Sequence, residues 1–303
     1  MSRFLGIIKR ILFSKNYIRI KTLKVFSRLI SDRKYLELLF PLETGYKLDL
    51  DNPQTFNEKL QWLKLYNRKP EYSQMVDKVE AKKYVANIIG EEHIIPTLAV
   101  YDRLEDIDFE ALPNQFVLKC THDSGGIVVC RDKSNLNREE ALRKLSQGLK
   151  KNYFYQNREW PYKNVKPRII AERYMEDESG ELKDYKYFCF NGEPKAMFIA
   201  SDRFNKTEET KFDFFDMDFN HLPFTNGHPN ATKPVEMPKG FEEMKKLAAK
   251  LSIGIPHVRV DFYDVDGKVY FGEMTFFHWS GLVPFEPFEW DLKFGKWIIL
   301  PSE

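Results

Sequence analysis

Cysteine is scarce in this chain of 303 residues, and its few thiols form no recognisable motif. The three cysteines include no pair with the spacing of a metal site or a redox centre. An odd number of unpaired thiols is typical of a reducing compartment, so we expect a cytoplasmic protein. The formal net charge is only +2, which argues against nucleic acid as a partner. No apolar run reaches the length of a transmembrane helix.

The N-terminal part of the chain differs from the rest in charge, and we predict a basic helical extension over residues 1–70. Residues 1–30 carry eight basic side chains and no acidic one, and apolar residues recur among them at helical spacing. Such a helix either packs its apolar stripe on the body of the protein or lies on the inner face of the cell membrane. Peripheral membrane contact through residues 1–30 is therefore one of two predictions for this segment.

Near the C-terminus, residues 257–281 predict a β-hairpin whose polar face carries charge. In the first strand Arg259 and Asp261 share one face, because successive side chains alternate. We predict a three-residue loop, 265–267, because it sets Glu273 opposite Arg259; a two-residue loop would put Glu273 on the far face. Two carboxylates on one face can hold Mg²⁺, which prefers oxygen ligands. An ordinary hairpin with a solvated polar face is the alternative.

A glycine-bearing loop between two predicted strands is the second candidate for binding chemistry. Lys119 ends the first strand, and Ser124, Gly125 and Gly126 lie in the loop. The backbone N–H groups of such a loop can converge on a phosphate, and Lys119 would enter the same space as a point charge. Most loops of this composition are plain hairpin turns, and that alternative stays open.

Periodicity and turn residues place the other elements. Apolar residues at helical spacing predict helices over residues 33–40, 55–66, 72–89, 137–153 and 241–251. Thr55 and Glu58 predict a capping box at the start of the second of these helices. A hairpin is predicted over Asn191 and Gly192. Four further polar residues are interpreted as solvated or structural: Lys186, Lys211, His122 and His257.

Taken together, these stretches resemble an ATP-grasp enzyme, and more closely the TupA-like ATP-grasp group associated with bacterial polysaccharide and teichuronopeptide biosynthesis. The resemblance covers most of the chain after about Tyr35 and is carried by residues 55–64, 112–120, 166–172 and 259–263. It implies an α+β fold in which two lobes with antiparallel sheets enclose a nucleotide. Residues 71–303 would form this catalytic domain, preceded by the helical extension.

The resemblance also implies ATP and Mg²⁺ as cofactors and assigns roles to individual residues. Arg259 and Lys119 would be catalytic, and Asp261, Glu273 and Thr275 would hold the metal. The residues that would bind the nucleotide are Lys78, Lys119, Ser124, Gly125, Gly126, Glu172, Arg173, Tyr174, Met175 and Asp184. Two positions depart from the pattern of the group, with Thr275 where an asparagine is usual and Asp123 where a glycine is common. A third departure is the bulky stretch 277–281, which stands where the group has a glycine-rich run and implies a narrower or different acceptor pocket.

The implied activity is an ATP-dependent ligase that joins a carboxylate to an amine or thiol through an acyl phosphate. The substrates would be a small-molecule or glycan-linked carboxylate and an amine acceptor, in cell-surface polysaccharide biosynthesis. A glycosyltransferase of capsule or lipopolysaccharide assembly is one alternative, with Asp264-Val265-Asp266 as its metal-binding motif. A non-catalytic scaffold that kept the fold is the other, and the departures at Thr275 and Asp123 leave it open.

Overall fold

The computed structural model describes residues 16–123, 125–178, 182–201 and 209–301. The predicted N-terminal helix lies partly outside the described residues, and Ser124 lies wholly outside them. The helices are α1 (16–25), α2 (Asp32–Thr44), α3 (Phe56–Tyr66), α4 (Glu71–Val76), α5 (Glu80–Ile89), α6 (Arg138–Leu149), α7 (Tyr153–Asn157), α8 (Phe241–Leu251) and α9 (Glu289–Trp297). Within the described ranges, no helix has the length and apolar character needed to span a membrane.

The strands form two main antiparallel sheets, as predicted for a two-lobed α+β fold. They are β1 (Thr97–Tyr101), β2 (Phe116–Cys120), β3 (Ile127–Cys130), β4 (Ile169–Arg173), β5 (Asp184–Phe190), β6 (Glu193–Ser201), β7 (Lys211–Phe215), β8 (Thr225–Asn226), β9 (Val258–Val265), β10 (Lys268–Thr275) and β11 (Phe285–Glu286). One sheet has the order β1-β4-β2-β3 and the other β10-β9-β5-β6-β7, while β8 and β11 pair separately. The hairpin predicted over Asn191 and Gly192 joins β5 to β6 and is confirmed.

Each sheet has its own apolar core, and the larger core also takes in the N-terminal helices. The smaller core packs α6 on the four-stranded sheet through Ala141 and Leu145. The larger core joins the five-stranded sheet to α2, α3, α8 and α9, with Phe56 of α3 in contact with Phe188 and Phe294. The domain boundary at residue 70 stays a prediction, although α2 and α3 share this core with the sheet.

The start of α3 follows the predicted capping box. The Thr55 hydroxyl accepts a hydrogen bond from the Glu58 N–H at 3.1 Å, and Glu58 Oε2 accepts one from the Thr55 N–H at 3.0 Å. These bonds satisfy backbone donors that a helix N-terminus otherwise leaves free. Elsewhere α2 runs past Pro41 to Thr44, about one turn beyond the predicted end, and Gly45 stops it with φ 85°.

The single helix predicted over 72–89 is wrong, because α4 and α5 are separate. The carboxylate of Asp77 accepts the Val79 N–H at 2.8 Å, so the side chain caps a new helix at this point. Lys78 lies in the break, and its N–H donates to the carbonyl of Thr121 at 3.1 Å. The break therefore fixes Lys78 against the loop that follows β2.

The turn between β9 and β10 also differs from the prediction. Val265 pairs with Lys268, so Asp266 and Gly267 alone form a two-residue loop, and the predicted three-residue loop is wrong. Both loop residues have positive φ, 56° and 94°, as the tight hairpin turns that match strand twist require.

A β-bulge at Gly272 nevertheless brings the predicted side chains together. The pairing shifts by one residue there, so Glu273 lies opposite Asp261 and Thr275 lies opposite Arg259. Because side chains alternate along a strand, one extra residue moves Glu273 onto the face of Asp261. A Cβ at Gly272 would lie 3.0 Å from the carbonyl oxygen of Asp261, so the close approach favours glycine.

Candidate functional site

A cleft of about 1450 Å³ opens between the two sheets. Side chains from β2 and β4 line it on one side, and side chains from β5, β9 and β10 line it on the other. The predicted site residues that line it are Lys78, Lys119, Gly125, Glu172, Arg173, Tyr174, Met175, Asp184, Arg259, Glu273 and Thr275. Gly126 and Asp261 lie behind this lining. The cleft thus brings most of the predicted residues together, while their roles stay predictions.

At the four-stranded sheet, the carboxylate of Glu172 is held by two lysines. Lys119 Nζ lies 2.6 Å from Glu172 Oε2, and Lys82 of α5 pairs with Oε1. Burial alone would raise the pKa of Glu172, but Lys119 and then Lys82 outweigh it and lower the pKa to about 2. Burial would likewise lower the pKa of Lys119, but Glu172 outweighs it and raises the pKa. Glu172 and Lys119 are therefore charged at neutral pH, whereas burial lowers the pKa of Lys82 and Glu172 opposes that effect.

Lys82 was not identified from the sequence, where it is one of several lysines on the polar face of a helix. Its ammonium also donates to the carbonyl of Ile95 at 2.7 Å and to the Thr97 hydroxyl at 3.1 Å. The Glu172 side chain is thus paired with two lysines. A ligand at β4 would therefore contact the backbone of the strand and not this carboxylate.

The loop after β2 folds its acidic residue inward. The carboxylate of Asp123 is buried, accepts the Gly125 N–H at 3.1 Å and lies 3.8 Å from the ammonium of Lys151. The ammonium of Lys78 donates to the Asp123 carbonyl at 2.8 Å, and burial lowers the pKa of Lys78. The Asp123 carboxylate is therefore buried against the loop backbone and Lys151, while Asp123 remains one of the residues that line the cleft.

At the five-stranded sheet, Asp261 is enclosed by cations. Arg259 Nε and Nη2 donate to its two oxygens at 2.7 and 2.8 Å, and Lys186 donates to Oδ2. Burial alone would raise the pKa of Asp261, but Arg259 and then Lys186 outweigh it and lower the pKa. Lys186 also bonds to Asp184 at 3.2 Å, so its interpretation as a solvated charge is wrong. The sequence could have indicated this role, because alternation along β5 puts Asp184 and Lys186 on one face.

Further contacts fix the plane of the Arg259 guanidinium. Nη2 lies 3.3 Å from Glu273 Oε1 and 3.1 Å from the Thr275 hydroxyl, and Nη1 donates to His278 Nδ1 at 2.8 Å. Because arginine is only a donor, His278 accepts at Nδ1 and donates from Nε2 to the Asn226 amide oxygen at 2.9 Å. Burial lowers the pKa of His278 well below its usual value, which agrees with a neutral ring.

The predicted magnesium ligands are together, but they are not equally open. In the part of the chain that the structure describes, no three His, Cys, Asp or Glu side chains are grouped to hold a metal ion. Both oxygens of Asp261 are engaged by cations, whereas the Glu273 side chain is 38% exposed at the cleft. Mg²⁺ keeps several waters and takes one or two carboxylates plus substrate phosphates. Glu273 fits that pattern, and Asp261 fits it only if Arg259 and Lys186 release it.

A left-handed turn closes one end of the cleft. Trp279, Ser280 and Gly281 have φ of 48°, 56° and 58°, and such a conformation costs about 1–2 kcal/mol for each non-glycine residue. Gln61 of α3 donates to the carbonyls of Ser280 and Gly281 at 3.1 and 2.8 Å. The buried Lys64 donates to the Ser280 carbonyl at 2.8 Å. Helix α3 therefore holds this strained turn in place.

Ser280 in turn fixes an acid in the wall of the cleft. Its hydroxyl donates to the carboxylate of Glu159 and accepts from Asn157 Nδ2 at 2.9 Å. The Trp279 ring beside it is 41% exposed and stacks on Phe212 with centroids 6.1 Å apart. This end of the cleft is thus lined by aromatic side chains, and the narrower acceptor pocket implied by stretch 277–281 stays a prediction. Glu159 was not identified from the sequence.

The Asp264-Val265-Asp266 stretch serves the hairpin itself. The Asp264 carboxylate accepts the Gly240 N–H at 2.7 Å and the Gly267 N–H at 2.6 Å. Asp266 accepts the Glu178 N–H at 3.2 Å. The bond from Gly267 is the ordinary use of Asp in a turn, and the bonds from Gly240 and Glu178 tie the hairpin to distant parts of the chain.

His257 lies in the core, as its structural interpretation predicts. It is 2% exposed and packs against Phe56, Phe188 and Phe190. Its Nδ1–H donates to the carbonyl of Cys189 at 3.0 Å. Burial lowers the pKa of His257 to about 3.

His257 should make the protein less stable as the pH falls below neutrality. Between its unfolded pKa of 6.5 and its folded pKa of about 3, the unfolded chain binds a proton that the folded chain does not. Stability then falls by about 1.4 kcal/mol per pH unit below 6.5. We expect His257→Phe to reduce the loss in unfolding free energy between pH 7.5 and 5 by about 2 kcal/mol in urea titrations. Equal losses in both proteins would refute this expectation.

The fold and the cleft define the class of the protein. Two lobes built on antiparallel sheets enclose a cleft whose walls carry lysines, an arginine and carboxylates, which is the arrangement expected of an ATP-grasp protein. The chain belongs to the TupA-like ATPgrasp family, whose model matches residues 58–299. The match begins inside α3, so it includes the helix that supports the Trp279–Gly281 turn.

Solved structures give a more distant likeness. D-alanine–D-alanine ligase from Bacillus anthracis is 18% identical with a TM-score of 0.37, over 66% of this chain and 56% of that one. The Helicobacter pylori enzyme is 15% identical with a TM-score of 0.42, over 80% and 69%. The ATP-grasp ligase PsnB, complexed with minimal precursor, Mg and ADP, is 10% identical with a TM-score of 0.38, over 72% and 57%. No curated protein sequence matches this chain.

Proposed function

We propose that this chain is an ATP-dependent, ADP-forming ligase that joins a carboxylate to an amine or thiol. The observation that carries the proposal is the pairing of two cationic walls across one cleft. Lys78 and Lys119 face it from one lobe, and Arg259 faces it from the other. Transfer of a phosphoryl group needs position and positive charge more than covalent help from the protein, and the cleft offers both.

The triphosphate of ATP would lie against the loop that follows β2. Lys119 and Lys78 would neutralise its oxygens, and the backbone of Gly125 and Gly126 would approach closely. Adenine would lie along the end of β4, where Arg173, Tyr174 and Met175 line the cleft. The Glu172 side chain is neutralised by its lysines and would not repel the phosphates. Asp184 would stand near the ribose.

The reaction would proceed in two displacements near Arg259. A substrate carboxylate oxygen attacks the γ-phosphorus of ATP, the bond to the bridging oxygen breaks, and ADP leaves. The amine nitrogen of the acceptor then attacks the acyl carbon, phosphate leaves, and the nitrogen loses a proton. Arg259 is held rigidly by Asp261 and His278, so its guanidinium can stabilise the charge of the acyl phosphate without reorganising.

Magnesium, when bound, would neutralise phosphate charge and orient the transferred group. Glu273 would be its first protein ligand, because its carboxylate is the open one of the predicted set. Asp261 would join it only on release from Arg259 and Lys186, and Thr275 only on release from Arg259. A hydroxyl is a weaker ligand for this ion than a carboxylate, so Thr275 would contribute least.

The proposal for the substrates rests on the resemblance described from the sequence, and the cleft does not identify them. We propose a small-molecule or glycan-linked carboxylate and an amine acceptor, in cell-surface polysaccharide biosynthesis in the cytoplasm. The acceptor would bind at the aromatic end of the cleft, where Trp279 and Glu159 are both lining residues.

A thermal-shift comparison tests the nucleotide. MgATP at a hundred times its dissociation constant should stabilise the protein by about 2.7 kcal/mol, whereas UDP- and CMP-sugars should not. Release of ADP with a panel of carboxylic acids and amines then tests the ligase itself. Stabilisation by a nucleotide sugar alone would overturn the proposal and favour the glycosyltransferase. No response to any nucleotide would favour the scaffold.

A further inference from the structure

The described part of the N-terminal segment is docked on the protein by one side only. Leu23 of α1 and Ser27 just after it are buried, and Ile20 packs against the large core. Arg158 fastens the end of this segment. Its guanidinium donates to the carbonyls of Ser27 and Ile30. The helix is therefore a fixed part of the body, and its outer side has a defined orientation.

The outer side of this segment is apolar where a protein surface in water is usually polar. Ile18 and Val25 lie seven residues apart, on one face of α1, and are 63% and 76% exposed. Phe26 and Leu29 continue the exposed apolar surface at 52% and 83%. Single exposed apolar side chains need no explanation, but neighbours on one face mark an interaction surface.

The same surface is strongly basic. Arg19, Lys21, Lys24 and Arg28 are exposed, and none of them lies in an ion pair with a described residue. The sequence has no acidic residue before Asp32 to neutralise them. Lys21 and Arg28 instead lie over the rings of Tyr17 and Tyr155, at 4.5 and 4.6 Å from the centroids. Lys24 interacts electrostatically with Glu43 of α2. Apolar groups and positive charge, most of it without a nearby acid among the described residues, thus share this surface.

We propose that this basic apolar surface, formed by Tyr17, Ile18, Arg19, Lys21, Lys24, Val25, Phe26, Arg28 and Leu29, binds an anionic lipid bilayer. Apolar side chains that enter the headgroup region and lysines that meet anionic lipids act together in such contacts. Charge complementarity favours this partner over a second copy of the chain, because two copies would bring like charges together. Residues 1–15 continue the basic, apolar composition.

The surface is connected to the wall of the cleft through hydrogen bonds of Arg158. Arg158, which holds Ser27 and Ile30, is followed directly by Glu159, which lines the cleft. Tyr35 of α2 donates to the Gln156 carbonyl at 2.6 Å, so residues 156 and 158 are both held against the N-terminal helices. Membrane binding would therefore hold the acceptor end of the cleft in a set position relative to the lipid. The binding itself needs no nucleotide and does not depend on the ligase reaction.

Flotation of the full chain with vesicles tests the proposal. We expect binding to vesicles of phosphatidylcholine with phosphatidylglycerol, weak binding to phosphatidylcholine alone, and weaker binding as salt screens the charges. Val25→Asp with Leu29→Asp should weaken binding about tenfold or more. Lys21→Gln and Lys24→Gln should each weaken it about fivefold. Ile253→Asp is the matched control, because Ile253 is 73% exposed elsewhere on the protein, and it should leave binding unchanged.

Three results would overturn the proposal. The first is no binding to anionic vesicles by the unaltered protein. The second is equal loss of binding in Ile253→Asp and in the Val25 and Leu29 variant. The third is a dimer, seen by sedimentation without lipid, that the same variant abolishes, since the surface would then belong to a contact between copies of the chain.

Discussion

Replacing Asp261 by asparagine should lower the free energy of unfolding by about 3–5 kcal/mol, because it leaves two buried cations without their shared anion. Arg259 and Lys186 both donate to this carboxylate, and the three side chains are nearly inaccessible to water. An amide oxygen accepts fewer hydrogen bonds and carries no charge, so the desolvation cost of the cations is no longer offset. Urea titration at neutral pH measures the effect.

The control is an aspartate of the same kind at the surface. Asp106 pairs with Arg103 at 2.7 Å, but the arginine side chain is 72% exposed, and such pairs contribute little. Asp106→Asn should therefore leave the unfolding curve nearly unchanged. Similar curves for both variants would show that the buried cluster does not stabilise the fold.

A second variant tests whether the loss of stability in Asp261→Asn comes from the unpaired charge of Lys186. Lys186→Met, added to Asp261→Asn, removes one of the two unpaired cations and replaces it with an apolar side chain of similar length. It should recover part of the lost stability, so the two changes together should cost less than their sum. Simple additivity of the two losses would mean that Lys186 and Asp261 do not interact.

The sequence allowed prediction of features that depend on neighbours along the chain. The Thr55–Glu58 capping box and helix α8 follow from spacing alone, and both are confirmed. The charged hairpin follows from alternation and a turn signal. The family resemblance supplied the two-lobed fold, since no single motif implies how two sheets face each other.

The features that the sequence did not reveal depend on contacts between distant parts of the chain. The bulge at Gly272 reflects close approach to the partner strand, and an isolated glycine does not predict its effect on register. Lys186 becomes part of the site only because β5 pairs with β9, which sets it opposite Asp261. Lys82 becomes part of the site because it pairs with Glu172, which lies in β4, far from α5 along the chain. Pairwise charge contacts of this kind are set by topology.

Lys119→Met should weaken MgATP binding about 10- to 150-fold, because a charge-assisted hydrogen bond to a phosphate contributes about 1.5–3 kcal/mol. Lys119 lies near the end of β2 at the cleft, and its ammonium has Glu172 as its ion-pair partner among the described residues. Methionine keeps the apolar stem of the side chain, and Glu172 keeps Lys82. Calorimetric titration of nucleotide into each protein measures the dissociation constant.

Two further variants make this result specific. Lys144 also lines the cleft but is exposed to water, so Lys144→Met should change the dissociation constant about twofold or less. Glu172→Gln should destabilise the free protein, because Lys82 and Lys119 lose their anion, yet it should not weaken MgATP binding, because Lys119 keeps its charge. Equal affinities for Lys119→Met and Lys144→Met would remove Lys119 from the nucleotide site. Weaker binding by Glu172→Gln would instead indicate that the carboxylate positions the lysine, and that the charge of Lys119 alone does not suffice.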